Sequence, residues 1–171
     1  MKQILLDLTQ PNIDLEITES VEILGVFVGK NTEQRKIELN IIHNKPNLQS
    51  LILVKAVLLD QSSFNFTGNL IINKGAKYTD TYLKVAILML SKSARAQAVP
   101  CLEIMENDVK GGHGATIRML DPEEIFYLVS RGLTIKESTK LLVKGFLEDV
   151  TRRLLSPEQK AFGEKELAKL I

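Results

Sequence analysis

A chain of 171 residues is long enough for one domain, or for one compact core with a small appended unit. Its 44% apolar and 25% charged residues are ordinary for a globular protein. The near balance of 22 basic and 21 acidic residues gives no electrostatic case for nucleic acid or for an anionic membrane surface. The single cysteine excludes an internal disulfide framework and a cysteine-rich metal site built by this chain alone, and it fits a reducing compartment.

The first residues, MKQILLDLTQPNID, turn acidic at once and lack a long apolar region ending in small residues, so no signal peptide is expected. No apolar run nears the roughly 18 residues of a membrane span, and the expected location is the cytoplasm. Residues 13–30 (IDLEITESVEILGVFVGK) alternate and are rich in Ile, Val and Leu, which predicts strands with a break near Gly25. Residues 36–44 (KIELNIIHN) predict another strand, closed by the turn cluster Asn44-Lys45-Pro46-Asn47. Further strands are predicted over 50–59, 63–72, 81–90 and 98–106, with polar or glycine-bearing corners between them.

These strands repeat. LNIIHNK (39–45) is echoed by NLIINKG (69–75) about thirty residues on, and CLEIMEND (101–108) follows after a similar interval. Lys55-Ala56-Val57-Leu58-Leu59 stands thirty positions before Val85-Ala86-Ile87-Leu88-Met89. Two strands and two corners per repeat suit a coiled sheet whose rungs bury one another. A sandwich also gives evenly spaced apolar runs, so pattern alone leaves both open. The scarcity of Asn-Gly and Asp-Gly hairpin turns leans toward the coil.

At Asp121 the period changes from two to 3.6. Asp121-Pro122-Glu123-Glu124 offers a cap oxygen and a proline at the first helical position. Thr134-Ile135-Lys136-Glu137 and Ser156-Pro157-Glu158-Gln159 are capping boxes, and Gly132 suits the left-handed residue that ends the first helix. Ile135, Leu142, Val143, Phe146, Leu147, Val150 and Leu154 make one apolar stripe, which needs either the end of the β-stack or another chain to cover it.

Most of the reactive side chains lie between Cys101 and Leu133. His113 stands in GGHGAT, where glycines allow close backbone approach and positive φ. This predicts a turn at a rung corner with an imidazole able to bind metal or accept a proton; the alternative is a tight turn whose histidine caps a carbonyl. In VPCLEIME, Leu102 and Ile104 share one face and Cys101 and Glu103 the other, and Cys101 is either an available thiol or a small buried hydrophobe. Glu103, Glu106 and Asp108 are near enough to join a site, although such spacing also suits a solvated face. His43 has no partner visible in sequence. There is no phosphate loop, dinucleotide fingerprint or nucleophile elbow, so no catalytic residue is named and no enzyme is expected.

The run LEIMENDVKGGHGATIRMLDPEEIFYLVSRGL, followed by ESTKLLVKGFLEDV, resembles the core of the SufB/SufD family, scaffold subunits of an iron–sulfur cluster assembly machine. The likeness covers about residues 94–153 and combines LEI, the DVK turn, HGAT, FYL-x-SRG and the GF helix in that order. Upstream, residues 13–93 look like the family's parallel β-helix. The resemblance implies a mainly β chain, with a right-handed parallel β-helix over 1–118 and a small C-terminal α-helical domain over 119–171. It implies a SufC-like ATPase docked by the helical domain, and a SufB-like subunit or a second copy paired through the β-helix, with sulfur donor proteins acting indirectly. Iron or an iron–sulfur cluster would be transient cargo, with no intrinsic cofactor.

By the same resemblance, His113 matches the HGAT histidine, an iron or cluster ligand of the SufD-like subunit. Phe126, Tyr127, Leu128, Arg131, Gly132 and Phe146 would bear on ATPase docking. SufD-like relatives commonly carry a cysteine two residues before the histidine, where this chain has Gly111, and SufB-like ones carry a cysteine on the preceding strand, near Val85 here. Gly114 after the histidine makes the motif SufD-like. Cys101 aligns with neither cysteine and would substitute only by proximity. The implied protein is a short SufD-like scaffold subunit that begins almost directly in the β-helix. The alternative is a structural adaptor that binds the ATPase and ligates no iron or cluster. A metal-dependent enzyme on a β-helix has too few ligands.

Overall fold

A computed structural model describes residues 1–170. The strands are β1 (Lys2–Leu5), β2 (Asn12–Ile17), β3 (Val21–Gly29), β4 (Gln34–His43), β5 (Gln49–Leu58), β6 (Ser63–Ile72), β7 (Asp80–Met89), β8 (Arg95–Ile104) and β9 (Lys110–Met119). The helices α1 (Pro122–Ser130), α2 (Ile135–Thr151) and α3 (Pro157–Ala168) follow. Every strand pairing is parallel, in a five-stranded sheet β1-β3-β5-β7-β9 and a four-stranded sheet β2-β4-β6-β8. From β1 to β9 the chain alternates between the sheets, which makes a β-solenoid of about four turns and excludes the hairpin-built sandwich.

The repeat is real, but its step varies and the sequence alignment slips by one residue. Val21 pairs with Ser50, Gln49 with Asp80 and Asp80 with Lys110, steps of 29, 31 and 30. Asn40 therefore stacks on Asn69, and Lys55 on Ala86 rather than Val85. A one-residue slip exchanges the two faces of a strand. Pairing Lys55 with Val85 would have put its ammonium in the apolar lumen.

The lumen is filled from both sheets by Ile23, Phe27, Ile37, Leu39, Ile52, Val54, Phe64, Phe66, Leu70, Leu83 and Ile87, among others. Phe64 stacks between Phe27 at 5.2 Å and Phe66 at 6.0 Å. The four-stranded sheet is buried on one face only, so β4 and β6 alternate apolar and polar residues. The runs in β3, β5 and the second half of β7 are nearly continuous because these stretches are covered on both faces, whereas the first half of β7 still alternates, with Tyr82 and Lys84 exposed. Their outer residues Leu24, Val26, Val28, Leu53, Val57 and Leu88 form a second cluster with Val143, Leu147, Val150 and Leu154. The helical stripe thus covers the flank of the solenoid, neither its end nor another chain. Ile135, at the first turn of α2, is exposed and stands outside it.

The break expected near Gly25 falls instead at residues 18–20, and Gly25 continues β3. A side chain there would press within 3.3 Å of Leu6 and Val54. The three helix starts form as their sequences dictate. The Asp121 side chain accepts from the Glu123 N–H, and reciprocal capping boxes join Thr134 to Glu137 and Ser156 to Gln159. Gly132 takes φ +97° just beyond α1.

Three polar anchors fix the helices on the sheet. Lys55 Nζ, in the middle of an apolar strand, donates to the Phe146 carbonyl at 2.6 Å and lies 3.2 Å from Asp149 Oδ2 and 4.7 Å from the Phe146 ring centroid. Burial pushes this ammonium below its ordinary 10.5, and Asp149 pulls it back. Nearer the first rung, Arg153 pairs with Glu22 at 2.7 Å. β1 reaches only as far as Leu24 along β3. Beyond it, Glu166 Oε2 accepts the Val28 N–H at 2.8 Å, so α3 takes the place of a further strand at that edge.

Candidate functional site

The last rung carries the residues singled out by sequence. β9 ends the five-stranded sheet and β8 ends the four-stranded one, so both present an unpaired edge. GGHGAT is not a turn: residues 110–119 are a regular strand, and Gly111, Gly112 and Gly114 are absent from the positive-φ residues. The glycines answer a neighbour thirty residues upstream. Tyr82, in register with Gly112, lies over the outer face of β9, where a Cβ on Gly112 would meet its ring at 2.9 Å and one on Gly114 its hydroxyl at 3.0 Å.

Alternation then sets the direction of the rest. His113 is in register with lumen-facing Leu83, and Gly111 with lumen-facing Thr81. His113 is therefore on the lumen side of the final strand and exposed, because no further rung covers it. Cys101 is in register with Asn69 on the outer face of the other sheet. There it extends a ladder in which Asn69 donates to Asn40 and Asn40 to Asp14, each at 2.6 Å. The structure thus places Cys101 and His113 on different faces of different sheets. Val85 is buried in the lumen one rung down.

The carboxylates also fail to gather round His113. Glu106 accepts the backbone N–H groups of Gly75 and Asn107, Asp108 lies 3.8 Å from Lys77, and Glu103 is exposed on the outer face. No group of three or more His, Cys, Asp or Glu able to hold a metal ion occurs among the described residues. One ligand at an open rim can complete a coordination shell only with groups from another molecule.

His43, without a visible partner in sequence, has one in space. It faces the lumen, fully buried, with Nε2 2.9 Å from Ser50 Oγ, which is itself 2.6 Å from Thr81 Oγ1. This polar thread runs along the axis to the rung below Gly111. Burial pushes the imidazole below its ordinary 6.5, and the Ile71 carbonyl pulls weakly the other way. Below pH 6.5 the unfolded chain takes up this proton before the folded one does. Stability from His43 is therefore complete above 6.5 and is lost as pH falls toward the depressed folded value. The melting temperature is expected to drop as pH falls below 6.5, and His43→Gln should flatten that drop. An equally steep drop in the variant would assign it elsewhere.

Beyond the rung, α1 buries none of its residues. Phe126 is 75% and Tyr127 57% exposed, with the Arg131 guanidinium 5.2 Å from the Tyr127 ring centroid. Leu128 is half-buried, and Gly132 turns the chain toward α2. Phe146 is on the opposite, sheet-facing side, where it packs against the outer cluster. Sequence reasoning missed the Lys55–Asp149 anchor and the cover provided by Tyr82. A lysine inside LILVKAVLL was the one local sign of the anchor. No helix among the described residues is long and apolar enough to cross a membrane.

Comparison with known proteins adds a family to this geometry. A family model described as "SUF system FeS cluster assembly, SufBD core domain" matches residues 6–146. The chain is 36% identical over 129 residues to the iron–sulfur cluster assembly protein SufD of Bacillus subtilis, covering 75% of this chain and 30% of that protein. It is 30% identical over 145 residues to one SufBD family protein of Mycobacterium tuberculosis and 31% over 133 residues to another. Those matches cover 80% and 78% of this chain, and 36% and 16% of the respective relatives. The chain therefore spans little more than a third of these relatives at most.

Proposed function

Since the chain belongs to the SufBD family of the SUF iron–sulfur cluster assembly system, we propose that it is a SufD-like scaffold subunit, cytoplasmic and not itself an enzyme. It pairs with a SufB-like subunit or a second copy through the last rung of its solenoid, and it docks a SufC-like ATPase through its helical segment. Iron, or a cluster built with sulfur from donor proteins, is its cargo.

The observation that carries this reading is the inequality of the two solenoid ends. At the first rung the edge strands β1 and β2 are short, four and six residues, and α3 occupies the free edge of β3 beyond β1 through Glu166. At the last rung, two strand edges are left bare, bordered by exposed Val99, Ile104, Met105, Ile117 and Met119. Bare parallel edges with apolar borders favour pairing with another chain. His113 at that mouth would contribute one ligand to a site whose others come from the paired subunit.

Anaerobic addition of iron and sulfide to the paired subunits is expected to give charge-transfer absorption that His113→Ala removes. Gly111→Cys should strengthen it, because the new thiol would share the lumen face of β9 with His113. Its Cβ would stand 3.0 Å from the Ile104 Cδ1 tip, which can swing away. A second reading, an adaptor that binds the ATPase and ligates nothing, is favoured by Gly111 and by the lone ligand. No absorption with or without a second scaffold subunit would select it.

A further inference from the structure

A groove beside α2 belongs to neither the open rung nor the exposed face of α1. Two hollows of about 270 Å³ each adjoin there and share Lys140 and Leu170 as lining. Leu59, Leu90 and Val143 line the first, and Leu167 and Ala168 the second. No residue of α1 lines either. Lys136, Lys140 and Lys144 stand along one wall, each four residues beyond the last. At about 1.5 Å per residue they form a row of roughly 12 Å on one flank of the helix. All three are exposed. None makes an ion pair among the described residues. Among the described residues Glu164 is the one acid in the lining, outnumbered there by the three lysines.

An apolar floor is stabilised by apolar cover, and three unpaired ammonium groups by carboxylates. An α-helix meets both demands at this spacing. Apolar residues at i, i+3, i+4 and i+7 would enter the hollows, while acids four residues apart would face the lysines. An extended peptide has less to gain, because the walls are helix side chains and the corners after β5 and β7, with no strand edge to bond its backbone. We propose that this groove docks an acidic amphipathic helix of a partner protein. The assignment is independent of the ATPase reading for α1.

The probe is a fluorescent amphipathic peptide of roughly 18 residues with a leucine stripe and glutamates spaced by four, beside a counterpart with lysines in their place. The acidic peptide is expected to bind the native chain and to lose about tenfold or more in affinity to K140E/K144E. The lysine counterpart should recover binding to that variant. Thr139→Trp, which fills the first hollow without touching charge, should also weaken the acidic peptide while leaving the melting temperature unchanged. Equal binding by the charge-reversed chain would overturn the proposal. So would indifference to Thr139→Trp, which would reduce the effect to surface charge. Binding of anionic phospholipid vesicles with the same lysine dependence would assign the groove to a lipid surface instead. Displacement of a bound SufC-like ATPase by the peptide would merge the groove with the α1 site.

Discussion

Leu147→Ala is expected to destabilise the protein by about 3–5 kcal/mol, because a fully buried leucine leaves a cavity that its surroundings only partly close. Leu147 is central to the cluster that binds α2 to the outer face of β3 and β5. For a chain of this size, such a loss should lower the melting temperature by roughly 6–20 °C. Asp149→Asn makes the useful contrast at the same interface. It removes the charge facing Lys55, but Asp149 is partly exposed, and Lys55 keeps the Phe146 carbonyl and ring. A pair open to solvent on one side contributes about 1 kcal/mol or less. The apolar stripe, not the ion pair, therefore holds the helices, while the pair fixes their position along the strand. Should Asp149→Asn prove the more damaging, that ranking would be wrong.

Phe126→Ala should do the opposite: leave folding almost untouched and weaken association with the SufC-like ATPase by about 2–4 kcal/mol, roughly 30- to 1000-fold. The separation follows from burial. α1 rests on α2 without burying a residue of its own, so the Phe126 ring contributes little to the core. An exposed phenylalanine beside Tyr127 and its stacked Arg131 has the composition of a binding hot spot. Arg131→Glu should act in the same direction. Titration of the purified ATPase with each variant, alongside a thermal melt, separates the two effects. If Phe126→Ala binds within threefold of the native chain, docking does not run through this face of α1.

The settings of His113 and of the face of α1 are legible in the sequence to different degrees. The GGHGAT motif suggests a turn at a rung corner with an exposed imidazole, whereas His113 is exposed on a regular strand of the last rung. A glycine's local signature is conformational freedom. The pressure that requires Gly112 and Gly114 comes from Tyr82, one whole rung earlier. Cys101 was assigned to the strand face opposite Leu102, which the register bears out. Its distance from the β9 site could not be read from one strand, because it depends on which sheet each strand joins.

By itself the sequence determined what is settled within a few residues. The caps at Asp121, Thr134 and Ser156 and the stop at Gly132 are local hydrogen-bonding and backbone matters, and all four formed as expected. Alternation in β4 and β6 and continuous runs in β3, β5 and the second half of β7 likewise encoded one covered face or two. The tertiary structure decided the step of each rung, the strand at 110–119, the partner of the α2 stripe and the burial of His43 beside Ser50. Each depends on contacts between residues brought together only when the rungs stack. A slip of one residue leaves every local preference unchanged while exchanging lumen and surface, so only the packed core selects the register.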